Sequence, residues 1–186
     1  LAKREQLFLI NDASLKFFKE QLYDTDVGRS VALSYLSDRG FSKHTIEKFG
    51  LGYAPPDGKA LTQHLKGLGY KEDQLAELGL LTKNGNDFFR DRVMFTLHNV
   101  SGKIVGFAGR SLTTDKRIPK YMNSPESVIY QKSKFLYGTF FAKAAIRKEE
   151  ECILVEGYTD VISLHEAGIE NVVASSGTAL TEEQIR

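Results

Sequence analysis

The chain has 186 residues, 41% hydrophobic and 26% charged, which suits a globular protein with room for one full domain and part of another. No run of about 18 apolar residues is present to span a bilayer, and the first residues lack the order of a secretory signal, so a cytoplasmic location with no membrane contact is expected. The net charge of +1 names no partner by itself, and a single cysteine, Cys152, excludes an internal disulfide and a cysteine-rich zinc site within these residues.

Apolar residues at Leu15, Phe18 and Leu22, widened by Phe17, predict an amphipathic helix over residues 11–23. Val31, Leu33, Tyr35 and Leu36 predict a second over 26–39, stopped by Gly40. Ser42 is placed to cap a short third helix that carries Ile46 and Phe49 and ends at Gly50. Residues 61–68 and 72–78 read as two more short helices closed by glycine. His44, His64, His98 and His165 have no ligand spacing and read as structural or surface residues.

The pattern changes after Leu80. Asn84-Gly85-Asn86 is a turn signal, and residues 92–100 and 103–112 read as two strands joined at Ser101-Gly102. Val93, Phe95 and Leu97 should share one face, and Ile104, Gly106 and Ala108 another. The small residues Gly106, Ala108 and Gly109 imply close approach by other backbone or a ligand. Residues 113–125 read as loop and 140–148 as helix. The remainder alternates strand, helix, strand and helix start, with Cys152 expected at a buried strand position.

Charge is unevenly placed. Residues 110–148 hold nine Lys or Arg against two acids, and residues 149–186 hold nine acids against one Arg. Such a pair of blocks serves an enzyme that grips phosphates with one wall and gathers a divalent metal with the other; it also describes two solvated faces. Ile153-Leu154-Val155 is suited to a buried parallel strand ending at Glu156-Gly157-Tyr158-Thr159-Asp160. Glycine lets the backbone turn there, Asp160 falls in the first turn of the next helix, and two carboxylates at one strand end can hold or orient a hard cation. A second strand, residues 172–174, runs into Ser175-Ser176-Gly177-Thr178, with Thr181 and Gln184 spaced as a capping box. Glycine and hydroxyls at a helix start suit phosphate.

These last segments resemble the opening of the TOPRIM domain of bacterial DNA primases. The preceding segments Arg90-Asp91-Arg92-Val93-Met94-Phe95, Gly106-Phe107-Ala108-Gly109-Arg110, Pro119-Lys120-Tyr121-Met122-Asn123-Ser124-Pro125-Glu126 and Lys132-Ser133-Lys134-Phe135-Leu136-Tyr137-Gly138 occur in the order of the catalytic core of that family. The resemblance implies a mixed α and β fold. Its N-terminal helical cluster and small, mainly antiparallel sheet fill residues 1–150, and the first part of an α/β TOPRIM domain fills 151–186.

The resemblance further implies template-directed RNA primer synthesis on single-stranded DNA. Glu156 takes the catalytic place, as metal ligand or as acid/base, and Asp160 joins it toward Mg2+ or Mn2+. Arg92, Arg110, Lys120, Tyr121, Asn123 and Lys132 hold template or nucleotide, with Arg90 and Lys134 in the same segments. Partners implied are the DNA template, ribonucleoside triphosphates and a replicative helicase reached through a parent domain outside these residues; zinc belongs to another such domain. An Asp-x-Asp pair on a following strand is expected after Arg186, so these residues alone are expected to be inactive. The alternatives are another TOPRIM enzyme, such as a topoisomerase or nuclease, and a non-catalytic single-strand-binding module.

Overall fold

The computed structural model describes residues 2–177 and 179–186. The first helix, α1 (Lys3–Asp24), begins earlier than its sequence pattern suggests, because Leu7 and Ile10 extend the buried face. Two polar residues interrupt that face and hid it: Asn11 Nδ2 donates to the Ile104 carbonyl at 3.0 Å, and Ser14 Oγ to the Ile10 carbonyl at 2.8 Å. The expected helix over 26–39 is α at Asp26 and Val27, π-helical from Gly28 to Leu33 and α again in α2 (Ser34–Asp38). Thr25 Oγ1 donates to the Gln21 carbonyl and accepts from Gly28 N–H, and a Cβ on Gly28 would stand 1.9 Å from that carbonyl oxygen. The wide turn therefore needs glycine there. Helix α3 (Lys43–Phe49) is capped as expected, with Ser42 Oγ accepting from Thr45 N–H and Gly50 at φ 63°. Helices α4 (Ala60–Gly67) and α5 (Glu72–Glu77) follow.

Four antiparallel strands lie in sequence order: β1 (Gly52–Ala54), β2 (Arg92–His98), β3 (Ile104–Ser111) and β4 (Tyr121–Asn123). Both faces of β2 and of most of β3 are buried, which is why hydrophobic alternation in β2 is incomplete. Val93, Phe95 and Leu97 join Phe49 and Tyr53 in one cluster; Met94 and Phe107 join Leu7, Ile10 and Phe18 of α1 in the other. A bulge sets His98 opposite Ile104 but Leu97 opposite Gly106. It turns Ile104 to the α1 side and leaves Val105 and Ala108 on the opposite side, so the expectation that Ile104 shares a face with Ala108 fails. The stretch 113–125 is likewise not all loop. β4 occupies its end, three residues without apolar alternation, and Ser124 Oγ accepts from Phe107 N–H where Gly106 leaves it room.

The 3-10 turn Lys132–Lys134 and helix α6 (Thr139–Glu149) lead to β5 (Ile153–Val155), α7 (Tyr158–Glu166), β6 (Val172–Ala174) and the short α8 (Glu182–Ile185). β5 and β6 pair in parallel through α7. Tyr137 extends this pair from the other side, exchanging hydrogen bonds of 2.9 and 3.0 Å with Ala174. Two expectations are corrected here: Cys152 is exposed just ahead of β5, and Leu154 is 47% exposed, because α7 and α6 cover β6 more than β5. No helix among the described residues is long and apolar enough to cross a membrane.

Candidate nucleic-acid interface and carboxylate turn

At the carboxyl end of β5 the chain turns through Gly157 into α7, leaving Glu156 exposed at the strand end. Asp160 reaches back one turn, and its Oδ2 accepts from Gly157 N–H at 3.2 Å. A Cβ on residue 157 would crowd that same oxygen. The cap occupies one Asp160 oxygen and fixes that carboxylate at the positive end of the helix, over the glycine that follows Glu156. Two exposed carboxylates are oxygen donors of the kind a hard divalent cation takes, but they form a partial set. Among the described residues no three His, Cys, Asp or Glu side chains gather closely enough to hold a metal.

The turn after β6 has Ser176 and Gly177 at φ 60° and 80°, and Thr181 caps α8 reciprocally with Gln184 as expected. Thr178, part of the turn expected to meet phosphate, lies outside the described residues. Thr181 Oγ1 also donates to the Ser133 carbonyl, and Gln184 Nε2 to the Phe135 carbonyl at 2.7 Å. The 3-10 turn that carries half-buried Lys132 is thereby fastened to the second turn of this α/β part.

Across the antiparallel sheet, Arg110 on β3 is the direct partner of Tyr121 on β4, so their side chains share a face, and Asn123 follows two residues on. The Arg110 guanidinium lies 4.8 Å over the Tyr35 ring of α2, and that of Arg39 lies 5.1 Å from the same ring while its Nε donates to the Tyr35 hydroxyl. Sequence reasoning missed Tyr35 and Arg39; their spacing of four on a helix was the available signal. Lys120 is exposed, with Nζ 6.0 Å from the Tyr121 ring centre.

Arg92 is placed differently from the others. It is 4% exposed, and its Nη1 donates to the carbonyls of Gly109, Pro119 and Lys120 at 3.2, 2.9 and 3.3 Å. It lies beneath the exposed side chains of this edge, clamping the approach to β4. Burial lowers its pKa.

One residue that joins the basic strand edge to the α/β part is Tyr158, which sequence reasoning did not single out. Its hydroxyl donates to Asn123 Oδ1 at 2.7 Å; its ring stacks on Phe95 at 5.5 Å and meets Tyr137 edge-on at 4.7 Å. Burial is the main reason its hydroxyl pKa is pushed up to about 12, so it stays a donor. The exposed ring of Tyr121 is 6.1 Å away. Since Tyr158 follows Glu156 by two residues and precedes Asp160 by two, this one contact ties the basic strand edge to the carboxylate turn.

Comparison with known proteins shows the family. Residues 17–143 match the family model described as DNA primase catalytic core, N-terminal domain, and residues 150–186 match that of the Toprim domain. The DNA primase of Halalkalibacterium halodurans is 48% identical over 187 residues, covering 98% of this chain and 31% of that protein. The RNA polymerase domain of Mycobacterium tuberculosis primase DnaG superposes with a TM-score of 0.91 at 36% identity, covering 98% of this chain and 60% of that one. A DnaG primase catalytic domain bound to ssDNA superposes at 0.84 with 37% identity, covering 98% and 57%. The chain thus spans about a third of the curated relative and somewhat over half of the solved cores. It belongs to the DNA primase catalytic core, N-terminal domain, family and carries the start of a Toprim domain.

Proposed function

We propose that the chain is the template-holding part and the first metal-facing edge of a primase that joins ribonucleoside triphosphates on single-stranded DNA. The observation that carries this reading is the Tyr158–Asn123 hydrogen bond, which holds a cationic, aromatic strand edge against an exposed carboxylate turn. On this reading residues 1–150 grip template and nucleotide and residues 151–186 open the metal-binding domain. Similarity to a primase core bound to ssDNA supports it.

Arg110, Lys120 and Lys132 meet phosphate oxygens, with Arg39 added by its stack on Tyr35. Tyr121 offers a ring face to an unstacked base, and Asn123 turns its amide nitrogen to sugar or base edge while its oxygen is held by Tyr158. Arg92 acts indirectly, by fixing the carbonyls of Pro119 and Lys120 and so the start of β4. Glu156 and Asp160 would hold the Mg2+ or Mn2+, completed by ligands from the rest of the parent. When bound, such ions stabilise charge on the transferring phosphoryl group. The chain's own contribution is to position the template edge against that site and to present Glu156 to metal or proton.

The test is Glu156→Gln in the full-length parent, measured on one folded preparation for ribonucleotide incorporation with magnesium and for single-strand affinity. Loss of synthesis with retained DNA binding is expected, because Gln keeps the size and removes the charge. Near-normal synthesis refutes the catalytic assignment; joint loss of binding and folding makes Glu156 structural.

A further inference from the structure

Two of the cations assigned to the template face are drawn to one ring. Arg39 closes α2 and Arg110 lies near the end of β3, so the two come from elements far apart in the chain. Their guanidinium carbons are 5.1 and 4.8 Å from the centre of the Tyr35 ring. The two charges are therefore at most about 10 Å apart, within the Debye length of about 10 Å at 0.1 M salt, and their repulsion is incompletely screened. Neither makes an ion pair among the described residues. The fold thus brings two like charges together and offers them a tyrosine in place of a carboxylate.

Tyr35 meets the two in different ways. Its ring receives Arg110, which is half-buried; Arg110 Nη1 donates to the Ser111 carbonyl at 2.9 Å, while its Nε is buried with no hydrogen-bond partner among the described residues. The ring is what offsets this charge, and partial burial strengthens the attraction. The Tyr35 hydroxyl instead accepts from Arg39 Nε at 2.7 Å, a contact that leaves the Nη fork of that guanidinium to an incoming acceptor. Tyr35 is itself well placed to hold them. Leu36 beside it is fully buried, and the Tyr35 ring packs against the same core cluster as Leu36, Val93 and Phe95.

Long cationic side chains lose rotamer freedom when a phosphate orders them, and a fixed ring that restrains both beforehand lowers that cost. We infer that Tyr35 is a positioning residue of the template face: it acts through Arg39 and Arg110, holding them as a preset pair for the phosphates of the strand. The inference rests on the proposed function, which puts single-stranded DNA on this face.

The experiment uses the full-length parent and a labelled single-stranded oligonucleotide, with affinity read by fluorescence anisotropy at several salt concentrations and folding checked by circular dichroism melting. Tyr35→Leu removes both contacts and should weaken binding by about tenfold, since two rotamer-rich side chains must then be ordered by the strand. Tyr35→Phe keeps the ring, loses only the hydroxyl, and should weaken it by about threefold. The loss from Tyr35→Phe should vanish when Arg39 is replaced by Ala and persist when Arg110 is. The loss from Tyr35→Leu should vanish only in the Arg39→Ala, Arg110→Ala double variant. Each Arg→Ala change should lower the slope of log affinity against log salt by about 1, whereas Tyr35→Leu, which removes no charge, should leave it unchanged.

Native affinity in folded Tyr35→Leu overturns the inference. So does a loss that persists undiminished in the double arginine variant, because Tyr35 would then touch the strand or merely support the fold. If Tyr35→Leu does not fold, the cycle of Tyr35→Phe with Arg39→Ala decides alone, and additive losses overturn the inference. Arginine variants that bind as the parent does, with the same salt slope, refute the template face and the inference with it. A parent that binds the strand through this pair yet makes no primers refutes the primase reading and leaves the positioning role standing.

Discussion

Tyr158→Phe is the sharpest test of how the two parts are joined. It removes one hydroxyl and keeps the ring that stacks on Phe95 and Tyr137. The lost hydrogen bond, 2.7 Å and nearly buried on the tyrosine side, is worth about 0.5–1.5 kcal/mol. Asn123 is only half-buried, so water can reach its freed oxygen and the added desolvation cost is small. A loss near 1 kcal/mol is expected, which for a chain of this length lowers Tm by about 2–4 °C. Tyr158→Ala, which empties the core as well, should cost about 3–5 kcal/mol. Urea denaturation of Tyr158→Phe, Asn123→Ala and the double variant closes a cycle, with a coupling of about 0.5–1.5 kcal/mol expected. Additive losses would refute the contact as a joint, whatever the size of each.

Replacing Arg110, Lys120 and Lys132 together by Ala should weaken single-strand binding far more than removing Lys3, Lys16 and Lys43 from the N-terminal helices, and should flatten its salt dependence, read from affinity at several ionic strengths. Equal losses would refute the interface. His165, 8% exposed, has neither ring nitrogen hydrogen-bonded among the described residues; it sits edge-on to Phe49, between Lys48 and Glu170, and burial first, then Lys48, pushes its pKa down to about 4. The unfolded chain, with a His pKa near 6.5, therefore binds the proton first, and His165 by itself should take about 2 kcal/mol from stability as pH drops from 7 to 5, added to the contribution of His98, which burial also holds at about 4. His165→Phe should remove most of that His165 contribution in denaturation curves across the same range; an unchanged slope would show that His165 does not carry it.

The carboxylate turn was legible because its geometry is local: Gly157 and Asp160 meet through one backbone hydrogen bond, and Glu156 directly precedes them in the chain. The caps at Ser42 and Thr181 were legible for the same reason. What escaped depends on partners distant in sequence. β4 has three residues and exists because β3 offers an edge. Arg92 looks like its neighbours Arg90 and Arg110 in sequence, yet its guanidinium is spent on carbonyls 17 to 28 residues away. Ile104 changed sides because a bulge leaves no mark in hydrophobic periodicity. The family resemblance was anchored on segments from Arg90 onward, and the family match extends upstream to residue 17, through helices whose motifs are too plain to be read alone.

Charge blocks were the least faithful guide, and the reason bears on mechanism. Lys143, Arg147 and Lys148 count toward the basic block, but they stand on α6, which packs on β6 of the acidic part. The two parts interlock instead of facing each other as walls. Tyr137, from the basic half of the sequence, completes the edge of β6, and Tyr158, from the acidic half, holds the end of β4. Farther along the same seam, Glu166 accepts from Ser42 N–H at 2.5 Å. Each part thus lends the other a residue at the position that matters for alignment. For an enzyme of the proposed kind the protein does little covalent chemistry, so its rate depends on holding template and metal-bound phosphate in a fixed relation. A joint made of buried tyrosines and backbone pairing keeps that relation far more strictly than two charged faces meeting through water.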